Sequence, residues 1–174
     1  MSAITLSELI LPTFTNGLKT LTHILQAAEA HAKANGLDAN AEYVGARLID
    51  DMLPLSFQVQ NATSNVRKTL NRVTGVEDQP WEDNEKTFAE LYKRIEKAQA
   101  LLSAADAAKI DAASDNEVLL PFGPQGIKLS AKASVLNQGI PNYFFHVQTA
   151  FAILRSKGVP IGKRDFIGGF LGLY

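Results

Sequence analysis

An all-α fold, a four-helix bundle with a short β-hairpin inserted before the last long helix, is what this sequence predicts. Three observations carry that expectation. Four segments repeat apolar residues at three- and four-residue spacing. Two short apolar runs flank the turn Gly123-Pro124-Gln125-Gly126. The length of 174 residues suits one domain spanning residues 1–174, large enough to build a core without disulfides or metals.

The elements follow in order. Phe14, Leu18, Leu21, Leu25 and Ala28 stripe the first helix, with Pro12 suited to its opening turn and Asn35-Gly36 to its end. The second is expected from about Asn40 to Val73, with Tyr43, Leu48, Met52, Leu55, Val59, Val66, Leu70 and Val73 on its apolar side. Gly75 is a natural stop. Pro54 inside that span predicts a kink or break near Asp50, because proline removes a backbone donor and crowds the preceding turn. The third helix is expected from about Asp83 to Ala104. Phe88, Leu91, Ile95, Ala98 and Leu102 form its stripe, and Lys86, Glu90, Lys93, Arg94, Glu96 and Lys97 its solvated face. Glu117–Phe122 and Gly126–Leu129 read as the two strands. The fourth helix is expected from Ser130 to Lys157, kinked at Pro141. The apolar tail from Val159 to Tyr174 should pack on the bundle or on a partner chain.

Lys plus Arg total 17 and Asp plus Glu 18, a formal charge of −1. That balance argues against a nucleic-acid partner and against an acidic disordered tail. With no cysteine, thiolate metal sites and cysteine nucleophiles are excluded. Residues 1–10 carry neither Lys nor Arg and no cleavage site, against a secretory signal. Ala133–Leu154 lacks charged side chains but is broken by Asn137, Gln138, Pro141, Asn142, His146 and Gln148, which suits a buried helix better than a membrane span. The expectation is a cytoplasmic protein with no membrane partner.

Two polar stripes stand out. Arg47, Asp51 and Gln58, at i, i+4 and i+11, would lie along one side of the second helix. Asn142, His146 and Thr149 would share a face of the fourth. Both flank a proline, and facing polar stripes beside kinks would make a polar pocket in a bundle core. The same spacings also suit an intrahelical Arg47–Asp51 ion pair and satisfied core residues at Asn142 and His146. A metal is the weaker idea. The three histidines, His23, His31 and His146, have no chelating i, i+4 spacing, and Asp50, Asp51 and His146 could supply at most two or three ligands. The Gly158–Lys163 segment departs from a phosphate-binding loop in spacing, and Arg164 stands where that motif has Ser or Thr.

Pro141-Asn-Tyr-Phe-Phe-His146, Ala152-Ile-Leu-Arg155, Gly158-Val-Pro-Ile-Gly-Lys163-Arg-Asp165-Phe, Ala46-Arg-Leu48 with Asp51-Met52, Gln58-Val59, and Thr87-Phe-Ala-Glu-Leu91 with Arg94-Ile95 together resemble one family, domain of unknown function number nineteen-ninety-three. It is similar in fold to the DinB/YfiT-like helical bundles. The resemblance covers nearly the whole chain and implies a compact four-helix bundle, often dimeric, without a settled activity. DinB-like relatives include metal enzymes that use three histidines. Only His146 matches such a histidine here; the second-helix position offers Asp51, and Ser156 stands where the family often has a histidine.

The leading expectation is a small-molecule ligand between the helices, for binding or for metal-free acid–base chemistry. His146 and Asp51 are the catalytic candidates, and Arg47, Gln58, Asn142 and Tyr143 the ligand-binding set, with no cofactor. The alternatives are a DinB-like enzyme with a substituted ligand set for a divalent metal, and a non-enzymatic scaffold. A homodimer is expected as partner, in the scaffold reading through the tail.

Overall fold

The structure, a computed structural model, describes residues 4–174; of the stretch read for a signal peptide, residues 1–3 lie outside the described residues. Helix α1 spans Leu6–Ala34. It opens with a capping box: the Thr5 hydroxyl accepts from the Glu8 amide, and Glu8 accepts from the Thr5 amide. That cap starts the helix before Pro12, so Pro12 lies inside α1 and not in its first turn. Phe14, Leu18, Leu21, Leu25 and Ala28 are fully buried, as their spacing predicts.

The long second helix divides. Asn40–Val44 is one π-helical turn, and α2 spans Leu55–Thr74 with Pro54 as its N-cap. The break expected near Asp50 is there as a full loop, residues 45–54, and Pro54, with φ fixed and no donor, opens the helix that follows. The connecting loop is held by the Leu55 amide on the Ala46 carbonyl (2.9 Å) and by the Arg47 guanidinium on the Met52 carbonyl (2.5 Å). Leu48, Ile49 and Leu53 are exposed there, so Leu48 is not part of the buried stripe expected of it. Gly75, at φ +70°, ends α2 in the left-handed conformation that favours glycine.

Helix α3 spans Phe88–Ser103, started by a second capping box between Thr87 and Glu90. A short α4, Ala107–Ala112, is tied back to α1 by Asp111, which accepts from the amide and hydroxyl of Ser7 (2.7 and 2.8 Å). Strands β1 (Glu117–Leu120) and β2 (Ile127–Ser130) form the antiparallel hairpin, with Glu117 opposite Ser130 and Leu120 opposite Ile127. Pro121, which has no donor, ends β1 two residues earlier than expected.

The last long helix is composite: α5 (Ala131–Ser134), a π turn (Val135–Gly139) and α6 (Ile140–Ser156). In a regular α-helix the Pro141 ring would crowd the carbonyl of residue 137. The wider π turn lies where that carbonyl does, and Pro141 falls in the first turn of α6. Helices α1, α2, α3 and α6 enclose the core, with α2 and α6 packed side by side. The tail returns over the bundle through α7 (Lys163–Ile167). A Cβ on Gly169 would come within 2.8 Å of the Asn16 carbonyl, so the tail backbone rests directly on α1. Phe166 meets Phe151, and Phe170 meets Phe144, each with ring centroids 5.8 Å apart.

Candidate functional site

Helices α2 and α6 run antiparallel along a seam with polar side chains at both ends. At one end Arg72 donates to Gln138 (3.2 Å); at the other His146 Nδ1 lies 2.8 Å from Gln58 Oε1. Gln58 Nε2 donates to the Leu53 carbonyl (2.9 Å). That leaves Gln58 Oε1 to accept, so the His146 proton sits on Nδ1 and Nε2 carries the lone pair. Among the described residues, the one buried side-chain nitrogen or oxygen without a partner is Arg67 Nε. His146 Nε2, which has no protein partner, therefore touches solvent. The ring is only 7% exposed, edged by Phe57 and Phe145, and burial pulls its pKa down to about 4. At neutral pH it is an uncharged acceptor.

Between those ends the seam opens into a cleft of about 180 Å³. Helix α2 presents Asn61, Asn65, Lys68 and Arg72, at i, i+4, i+7 and i+11 on one face. Gln138 of the π turn and Asn142 of α6 face them, and Leu120, Pro121 and Phe122 of the hairpin close one side. Thr69 donates to Asn65 (3.1 Å) at the floor, and a Cβ on Gly139 would meet Thr69 at 3.1 Å. Glycine there lets the two helices close below the cleft.

The structure brings together Gln58 and His146, and puts Asn142 in the adjoining cleft. It does not assemble the other stripe. Arg47 and Asp51 are exposed in the loop before α2, because Pro54 starts the helix after them, and the i, i+4, i+11 face never forms. Tyr143 is fully buried where α6 meets α1; its hydroxyl donates to the Phe14 carbonyl (3.0 Å), and its ring fills the space beside Gly17. It works as a helix-packing residue.

The donors for a DinB-like metal are dispersed. His23 lies 2.9 Å from Asp165, His31 bonds the Tyr43 hydroxyl at 2.9 Å, and His146 bonds Gln58. Among the described residues no three His, Cys, Asp or Glu side chains converge, so this chain's residues do not fit a three-histidine ion.

A second polar cluster went unseen in the sequence. Arg94, expected on the solvated face of α3, is 4% exposed. Its guanidinium meets Thr63 Oγ1 (2.9 Å), Ser64 Oγ (2.8 Å), Glu85 (2.7 Å), Asp83 (2.6 Å) and the Glu82 carbonyl (2.7 Å). Arg67, also buried, pairs with Asp78 and the Gln79 carbonyl. Trp81 lies across both guanidiniums and Lys97. These contacts bind the loop between α2 and α3. Thr63-Ser64 in mid-helix and the acidic run Glu82-Asp83-Asn84-Glu85 are the signals that could have found them. The face Asn61, Asn65, Lys68, Arg72 was equally legible by period.

No curated protein matches the chain. A solved structure described as that of a DinB family member protein from Shewanella denitrificans is similar, with 33% sequence identity over 94% of this chain and 92% of that one, at a TM-score of 0.86. The family model described as Domain of unknown function (DUF1993) matches residues 6–167. The seam, the hairpin and α7 all fall inside that span, and the chain belongs to this family, with a DinB-like fold.

Proposed function

We propose that the chain is a small-molecule-binding protein whose ligand sits in the α2–α6 cleft. One observation carries the reading. Four polar side chains of α2 converge with Gln138 and Asn142 on a half-open, mostly polar cleft with an apolar wall, and placed polar groups of that kind orient a ligand. The volume is below the ~300–1,000 Å³ of drug-sized sites, so the ligand has few heavy atoms. Native mass spectrometry of the gently purified protein tests this beside Asn142→Leu and Thr69→Val. The expected result is an organic mass increment that falls in both variants. A bare 18.9 kDa chain in every preparation would overturn it.

Metal-free acid–base chemistry is a second reading, favoured by His146 Nε2. A neutral imidazole oriented by Gln58, with its lone pair at solvent, is available as an acceptor for a substrate's proton, although burial makes it a weak base. Loss of turnover in His146→Gln with ligand binding retained would support this role. Equal turnover would remove it.

A further inference from the structure

The lining of the α2–α6 cleft has one sign of charge. Lys68 and Arg72 are its only ionisable groups; Asn61, Asn65, Gln138 and Asn142 add neutral amides. Neither cation belongs to an ion pair with a described carboxylate. The nearby Asp78 is taken by Arg67 and Asn71. Arg72 is half-buried with one side-chain partner, the neutral Gln138, and burial lowers its pKa. Asp78 still acts on Arg72 through space but makes no direct ion pair with it. A planar fork of donors with most of its capacity open, half-buried and without a bonded carboxylate, is a receptor for an oxyanion. The arginine-bearing pocket beside Trp81 is different: Arg94 there is neutralised by Asp83 and Glu85.

Resting on the cleft as a binding site, we propose that its ligand is a small organic anion. One carboxylate or phosphate group meets Arg72 and Lys68. The amides of Asn65, Gln138 and Asn142 fix its orientation, and a short apolar body lies against Leu120, Pro121 and Phe122. The hairpin thereby sets the length of ligand accepted, since it supplies the wall opposite the charged end.

The test is titration of the isotopically labelled full chain with butyrate, inorganic phosphate and neutral butyramide, following the side-chain amide signals of Asn61, Asn65, Gln138 and Asn142. The expected result is saturable movement with an anion, at least tenfold weaker in Arg72→Gln and in Lys68→Gln, and weaker at high salt. Lys68 is exposed, so that variant keeps its fold if Arg72→Gln does not. Saturation by butyrate alone identifies a carboxylate with an apolar body; saturation by phosphate identifies a phosphoryl group. Saturation by butyramide alone would overturn the anion assignment and leave the cleft a binding site. No saturable movement with any probe would overturn both.

Discussion

His146 stores a pH dependence in the fold. Its folded pKa of about 4 lies below the ordinary 6.5, so between those values the unfolded chain binds the extra proton. The contribution to stability is full above pH 6.5 and is lost as pH falls towards 4. The shift amounts to about 3 kcal/mol. Urea unfolding at pH 7 and pH 4.5 should show this loss, and His146→Gln should reduce the slope between them. An unchanged slope would mean that the ring is not held neutral. Tyr143 gives the complementary case. Tyr143→Phe should cost about 1 kcal/mol, by losing its bond to the Phe14 carbonyl, and leave ligand binding unchanged. Gly17→Ala should cost more, about 2–3 kcal/mol, because its Cβ would lie 2.5 Å from a fully buried ring that cannot yield; thermal denaturation reads both.

At the scale of elements, apolar periodicity made α1, α3 and α6 legible, and the glycine stops at Gly36, Gly75 and Gly158 all have positive φ. Proline marks where a helix must change but not how. It removes a donor and does not say whether a helix begins, breaks or widens in response. Pro12 is accommodated inside α1, Pro54 opens α2, and Pro141 follows a π turn. The break before Pro54 is a ten-residue loop, and it leaves Arg47 and Asp51 off the α2 face. Arg94 is hidden by its company: Lys93, Glu96 and Lys97 surround it in sequence, and α2 together with the loop folding back over α3 buries it. Arg94→Gln should cost about 1–3 kcal/mol, since it leaves the mostly buried Glu85 without its cation, while the exposed Asp83 is hydrated. The same change should alter the fluorescence of Trp81, the one tryptophan, under native conditions, because the loop is released before the bundle unfolds. Unaltered emission would mean that other contacts hold the loop.

For the whole molecule, the tail decides between an internal and an external use of its apolar residues. Thr20 donates to the Phe166 carbonyl (2.9 Å), and the His23 ring pairs with Asp165 and stacks on Tyr174 at 3.9 Å. Leu171 and Leu173 remain exposed. Removing residues 163–174 should therefore lower the stability of the single chain, by about 2–3 kcal/mol for the lost aromatic burial. Denaturant unfolding beside sedimentation measures this. A fall in oligomeric mass with monomer stability intact would instead put the tail between two copies, as the scaffold alternative requires.

The π turn at Val135–Gly139 also protects the phase of everything after it. A π turn holds one residue more than an α turn, so deleting Leu136 should restore a regular spiral and leave the facing of α6 nearly unchanged. Asn142 and His146 would stay on the seam, but Pro141 would then crowd the preceding turn. The extra residue is thus the room that Pro141 needs, and its loss would show as lost stability with the cleft's side chains still in place.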